Sequence, residues 1–189
     1  MVAAWWLSDL GTGIFHWAVD NYGGKSTPLL GSVIDAFQGH HKWPWTITRR
    51  QFANNVHGIC LPVMPFQAAA VAAAAAGAGL GAAGTAFVAA FAFFVPMSQQ
   101  FHSWSHLRRG DVPPAVAALQ DAGVLISCRA HGAHHRPPFA GNYCIVSGAW
   151  NVALDRSGVL EAAESALYAR TGVPPRCWAG RPAPPAGAA

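Results

Sequence analysis

The sequence predicts an all-α fold, an integral membrane helical bundle with a histidine-lined two-metal site at one membrane face. Three observations predict it. Charged residues are only 11% of the chain and hydrophobic residues 52%, with mean hydropathy +0.24, whereas an ordinary globular domain carries roughly 25% charge. From Gln51 to Leu107 there is not one Asp, Glu, Lys or Arg. Eight of the nine histidines fall into four tight groups: His16 followed by Asp20, the pair His40-His41, His102 with His106, and His131 with His134-His135.

Taken in order, Val2 to Trp17 reads as the end of a membrane span, a partial span over about residues 1–17. His16 and Asp20 lie one turn apart at its polar end. Met1 runs directly into Val-Ala-Ala-Trp-Trp-Leu, with no signal- or transit-peptide pattern. That opening reads as the middle of an apolar span, so a true start further upstream is expected. Trp43, Pro44 and Trp45 suit a membrane interface.

The charge-free stretch exceeds twice the roughly 20 residues that one membrane helix needs. It predicts one span near 54–76 and another near 82–101, turning at Gly77, Gly79, Gly81 and Gly84. Together they make a hairpin over about 54–101. Pro62 and Pro65 would kink the first span, which membrane helices tolerate. The alanine run at 68–76 also admits a soluble Ala-rich helix. Topology favours the hairpin. A single crossing would leave His40-His41 and His102/His106 on opposite faces, about 30 Å apart. Two crossings return them to one face, and set Arg49-Arg50 and Arg108-Arg109 on one side as the positive-inside rule prefers.

Residues 114–127 read as an apolar helix with a proline start, too short to span. Residues 158–170 read as a short amphipathic helix with Glu161 and Glu164 in its early turns, stopped by Gly172 and Pro174-Pro175. One domain over 1–178 is expected, followed by a disordered Pro/Ala-rich tail over 179–189.

Several function classes are set aside. The basic residues are not interleaved with stacking aromatics, so no nucleic-acid partner is expected. Cys60, Cys128, Cys144 and Cys177 have neither CxxC nor zinc-ribbon spacing and read as reduced or core thiols. Gly11-Thr-Gly13 is not followed by a phosphate-loop pattern and reads as close helix packing. Ser105 and Ser147 lack a triad.

The histidines carry the chemistry. Imidazoles at i and i+4, as in His102/His106, share one helix face and reach one ion. His131 and His134, three apart, also share a face, and His135 adds an adjacent ligand. So many imidazoles with so few carboxylates exceed what one ion can use. Structural zinc favours four ligands, commonly thiolates, so two metals sharing imidazoles fit better. Iron suits attack on an unactivated C–H bond, which needs O2 and electrons from outside. A membrane hairpin beside such a site implies a substrate with an acyl or alkyl chain. The spans themselves lack ionisable groups, which argues for a fixed site over the alternative of a non-catalytic membrane metal carrier.

The flanking letters carry a resemblance. Gly13-Ile-Phe-His-Trp-Ala-Val-Asp-Asn-Tyr-Gly23 resembles the opening motif of the membrane lipid desaturase family. The stretch from Ala36-Phe-Gln-Gly-His-His-Lys-Trp-Pro-Trp to Asn55 is similar to the family's plastid branch. So is His131 through Tyr143-Cys-Ile-Val-Ser-Gly-Ala-Trp-Asn151. The resemblance covers roughly residues 5–178, although the alanine-rich hairpin matches in character and not in letters. It implies metal ligands at His16, His40, His41, His102, His106, His131, His134 and His135. Asp20 would act as a ligand or as the orienter of a histidine. His57 belongs to the plastid-like stretch without a close partner and reads as a hydrogen-bonded structural histidine, with a ligand role as the alternative. Asn151 is a further candidate for holding a water or a ligand.

The resemblance implies two iron ions, O2 as co-substrate, a membrane glycerolipid substrate and reduced ferredoxin as electron donor. In the plastid branch the reaction is a trans double bond at the delta-3 position of palmitate on phosphatidylglycerol. In the other branch it is the vinyl-ether bond of plasmalogens. A lipid hydroxylase on the same scaffold would share the first C–H abstraction. The expected location is a chloroplast membrane, with the endoplasmic reticulum as the alternative.

Overall fold

The computed structural model describes residues 1–77 and 79–180; of the expected tail over 179–189, all but Ala179 and Gly180 lie outside the described residues. Among the described residues there are eight α-helices and no strand. They are α1 (Val2–Asn21), α2 (Gly31–His40), α3 (Phe52–Ala75), α4 (Gly81–Ser105), α5 (Pro114–Asp121), α6 (Cys128–His134), α7 (Asn151–Ser157) and α8 (Val159–Thr171). Two 3-10 turns, Pro44–Arg49 and Arg176–Trp178, join them. The all-helical expectation holds.

α1 is polar inside and apolar outside. Ala4, Ser8, Thr12, His16 and Asp20 recur every fourth residue and form one buried stripe. Val2, Trp6, Leu7 and Ile14 face outward and are exposed. A helix on the surface of a water-soluble protein shows the reverse arrangement.

α3 and α4 pack on each other as a hairpin, and α4 also packs on α1 and α6. Gly77 and Gly81 take positive φ at the turn, +75° and +65°, which glycine adopts without steric cost. From His57 to Ala89 no described residue is buried, so the outer part of the hairpin stands clear of the other helices with Leu61, Phe66 and Val71 exposed. α3 bends by 62° between Leu61 and Val63. Pro65 explains the bend: its ring clashes with the carbonyl four residues earlier, that of Leu61, and it offers no N–H to the helix. By length and composition α4 can cross a membrane, and α3 can if its two halves count as one bent span.

The predicted helix over 114–127 is shorter than expected. α5 ends at Asp121, and Gly123 turns left-handed at φ +71°. The N–H groups of Val124 and Leu125 both fold back onto the Leu119 carbonyl, a left-handed C-terminal cap. The turn redirects Leu125 and Ile126 into the apolar core, where they meet Phe101, Val116 and Val146. α8 stops where the sequence marks it, with Gly172 at φ +69°.

The stretch from Tyr143 to Val146 is almost wholly buried and non-helical. It lies close against α1 because Gly13 has no side chain: a Cβ there would sit 2.3 Å from Cys144 Sγ. Buried backbone donors need partners, and Asp9 supplies them. Its Oδ1 accepts from the backbone N–H of Val146, Ser147 and Gly148 at 3.1, 2.8 and 3.0 Å, and its Oδ2 from Trp150 at 3.3 Å. Glu164 also turns inward instead of serving the α8 dipole. Its carboxylate accepts from the indole N–H groups of Trp17 and Trp178, both at 2.9 Å. Thus α1, α8 and the 3-10 turn Arg176–Trp178 are tied around one buried acid.

Candidate metal centre

Four helix ends deliver the side chains. α1 carries His16 and Asp20, α2 ends in His40 with His41 just beyond, α4 carries His102 with His106 just beyond, and α6 carries His131 and His134 with His135 just beyond. Each pair or triplet sits in the last turns of its helix, and all eight imidazoles converge. His40 and His106, separated in sequence by the whole α3–α4 hairpin, have their Nε2 atoms 2.9 Å apart.

The residues divide into two groups, in each of which the ligand-capable atoms lie within 4.8 Å of one another. One contains His40, His102, His106, His131 and His135; the other contains His16, Asp20, His41 and His134. In the first, His106 Nε2 is 3.1 Å from His102 Nε2 and 3.0 Å from His131 Nε2, and His131 Nε2 is 3.0 Å from His135 Nε2. In the second, Asp20 Oδ2 lies 3.2 Å from His16 Nε2, 3.1 Å from His41 Nε2 and 3.2 Å from His134 Nε2. The groups adjoin, with the His41 and His135 ring centroids 5.0 Å apart.

The pairing on α6 differs from the spacing argument. His131 pairs with His135, one full turn on, and His134 turns to the other group. His40 and His41 likewise divide between the two groups. Asp20 joins the second group. His57 lies in neither: it is exposed on α3, its Nδ1 3.2 Å from the Ala53 carbonyl oxygen one turn back. Asn151 is engaged with the backbone beside α1, its Oδ1 accepting from the backbone N–H of Cys144 at 2.8 Å.

The donor set fits cations. The Tyr143 and Gly141 carbonyls can only accept, so His16 Nδ1 and His134 Nδ1 must donate to them, at 2.9 and 2.8 Å. A neutral imidazole then presents a bare lone pair at Nε2. Both lone pairs face the Asp20 carboxylate, acceptor against acceptor. His16 Nε2 and both Asp20 oxygens accordingly lack hydrogen-bond partners despite being buried. Such an arrangement is unfavourable unless a positive ion lies between. The spacing agrees as well: ligands about 2.1 Å from an ion and at right angles to each other are about 3.0 Å apart. His102, His131 and His135 likewise have buried Nδ1 atoms without partners.

Four of the imidazoles, His40, His106, His134 and His135, are held in the neutral, ligating form. Burial, reinforced by the neighbouring imidazoles, pushes His40 and His135 down to about 2 from 6.5. Burial pushes His106 and His134 down to about 4, with Asp20 pulling the other way at His134.

Sequence reasoning did not foresee the parts that hold the centre in place. Asp9 had a visible signal, a lone acid in an apolar run, where a charge is costly unless it has partners. The Tyr143 and Gly141 carbonyls had none, because a backbone oxygen leaves no mark on the residue type.

One cleft is lined by Asp20 and His41, and two more lie beside the centre. An apolar one of about 550 Å³ opens among α1, α2, α3 and α4, walled by Phe15, Leu30, Val33, Phe37, Ile59 and Val95. Phe37 separates it from the second group, its ring centroid 5.2 Å from that of His16. A smaller cleft of about 250 Å³ reaches His40 and His102 directly.

A family profile described as "Lipid desaturase domain" matches residues 5–178. Among curated proteins, the chain is 52% identical to "Fatty acid desaturase 4, chloroplastic" of Arabidopsis thaliana over 93% of its own length and 53% of that protein. It is 47% identical to "Fatty acid desaturase 4-like 1, chloroplastic" of the same plant, over 93% of its length and 58% of that protein. It is 33% identical to "Plasmanylethanolamine desaturase" of Myxococcus xanthus, over 89% of its length and 59% of that protein. The chain thus spans little more than half the length of these relatives. No solved structure shows a significant match.

Proposed function

The chain belongs to the lipid desaturase family, and from that premise we propose that it forms the di-iron core of a membrane desaturase acting on a glycerolipid acyl chain. The observation that carries this reading is the convergence of eight imidazoles and Asp20 into two adjoining groups beside an apolar cleft. His40, His102, His106, His131 and His135 would hold one ion, and His16, Asp20, His41 and His134 the other. Bound iron supplies the redox chemistry that activates O2 against an unactivated C–H bond. The balance is one CH2–CH2 unit, O2, two electrons and two protons giving one CH=CH unit and two waters.

The protein's own groups do the rest. Tyr143 and Gly141 fix the tautomers of His16 and His134, aiming each Nε2 inward. Asp20 supplies the one negative charge within the nine ligand side chains and offsets part of the cationic charge. The apolar cleft would hold the chain straight, exclude water and bring its carbons to the ligands behind Phe37.

The α3–α4 hairpin and the outward apolar face of α1 support membrane embedding, since these surfaces are costly in water. The substrate proposed is palmitate on phosphatidylglycerol, desaturated trans at delta-3 with reduced ferredoxin as donor, in a plastid membrane. The relatives at 52% and 47% identity, named chloroplastic fatty acid desaturases, support the fatty acyl substrate and the plastid. A second reading, a plasmanyl ether-lipid desaturase, draws on the 33% relative. Expression in a host with plastid-type ferredoxin, followed by lipid analysis, separates them. A new trans-3 hexadecenoate in phosphatidylglycerol is expected. New vinyl-ether lipids with unchanged fatty acids would overturn the first reading for the second, and a new hydroxy-acyl lipid would redirect it to hydroxylation.

A further inference from the structure

We propose that the smaller cleft beside the five-histidine group seats a phosphodiester headgroup, with Arg50 binding the phosphate and Asp35 accepting from the polar group beyond it. The proposal rests on the desaturase reading for the identity of its lipid. The cleft brings Arg50, Asp35, Trp43 and Thr46 to the same walls as His40 and His102. It adjoins the apolar cleft, with Phe37 and Gln99 lining both. A polar head and an apolar tail therefore have adjoining compartments that meet at Phe37 and Gln99, with His40 and His102 in the wall of the polar one.

The chemistry fixes how far apart head and reacting carbons can be. From the third acyl carbon to the phosphorus of a glycerolipid there are about seven or eight bonds, and an extended chain advances about 1.2 Å per bond, so the phosphate lies within roughly 10 Å. A vinyl-ether product brings it closer still. A cation that recognises phosphate must then share a cleft with the ligands, and Arg50 does. Guanidinium grips phosphate through paired hydrogen bonds. Arg50 is exposed to the cleft and makes no ion pair among the described residues. Arg176 lines a separate cleft at Asp20 and His41, but that cleft shares no wall residue with the apolar one and so has no room for the tail.

Asp35 alone would repel a phosphate. Its place in the same wall selects a headgroup that carries a donor past the phosphate, the hydroxyls of phosphatidylglycerol or the ammonium of an ethanolamine lipid. A phosphate monoester offers no such group.

Calorimetric titration of the detergent-solubilised, metal-loaded protein tests this with three short-chain probes: dihexanoyl phosphatidylglycerol, dihexanoyl phosphatidylethanolamine and dihexanoylglycerol. Both phospholipids should bind about tenfold or more tightly than the phosphate-free probe. Arg50→Gln should erase that advantage, Arg50→Lys should keep part of it, and Asp35→Asn should weaken both phospholipids while sparing dihexanoylglycerol. In turnover, Arg50→Gln should raise KM with kcat held. The tighter of the two phospholipids names the headgroup. Equal phosphatidylglycerol affinity in the wild type and Arg50→Gln overturns the proposal and leaves the desaturase reading intact. Arg50-dependent binding without any lipid product under O2 and ferredoxin overturns the desaturase reading and leaves the headgroup cleft standing. Should Arg50→Gln misfold, Arg50→Lys and Asp35→Asn carry the comparison.

Discussion

His134 shows what a single side chain does at this centre. Its Nδ1 is spent on the Gly141 carbonyl, and its Nε2 faces both Asp20 and His41. His134→Ala should abolish product while membrane insertion is retained, as judged by lipid analysis alongside membrane fractionation. Near-normal product would remove His134 from the ligand set. The neutral imidazoles also set an acid limit. His40, His106, His134 and His135 titrate at about 2 to 4 in the fold, against about 6.5 in an unfolded chain. Below pH 6.5 the unfolded chain takes up protons that the fold refuses. The metal-free protein should therefore hold its full stability above pH 6.5 and lose it progressively from 6.5 down to about 2. Thermal melts across that range check the sign; a midpoint that rises on acidification would contradict it. Asp9 is structural by the same reasoning. Asp9→Ala would orphan four backbone donors, two of them buried and two part-buried, a loss of about 3 kcal/mol, visible as a lowered Tm with the metal content per folded molecule unchanged.

At the level of elements, the close approach of α1 to the Tyr143–Val146 stretch depends on Gly13. Gly13→Ala places a methyl 2.3 Å from Cys144 Sγ, and overpacking of this kind costs about 1 to 3 kcal/mol. Adding Cys144→Ala should recover part of the loss in a double-mutant cycle; strict additivity of the two changes would show that they do not touch. The sequence made this contact only half legible. Two glycines in α1 suggested close packing, but a Cβ on Gly11 would meet nothing while one on Gly13 meets a buried thiol. Helices written as periodic apolar runs were readable, as were stops such as Gly172. The end of α5 was not, because Leu125 and Ile126 continue the apolar pattern after the backbone has turned at Gly123. Apolar periodicity reports burial, and burial continues through a turn. The division of the histidines between the two groups was illegible for a related reason. Spacing says which side chains share a helix face, and His131, His134 and His135 all fit one face loosely. The other three helix ends decide which imidazole meets which.

Across the whole molecule, polar residues line the interior of α1 and apolar ones cover the outside of α1, α3 and α4. That distribution supports a lipid surround, and composition with the charge-free stretch already pointed to it. What neither conveyed was how the interior is kept together: two buried acids, Asp9 and Glu164, gather backbone and indole donors from segments far apart in sequence. Stripping metal with a chelator should lower the Tm of the detergent-solubilised protein, and stoichiometric ferrous iron should restore it; an unchanged Tm would mean that the histidines do not depend on an ion to stay assembled. The adjacency of His40 and His41 carries one more consequence. One peptide unit at the end of α2 feeds both groups, and one turn of α6 does the same through His131, His134 and His135. An ion entering either group fixes backbone that the other group also uses, so the ordering entropy is paid largely once. Iron uptake should therefore be cooperative, with a Hill coefficient above 1 and little half-filled protein at any point of the titration.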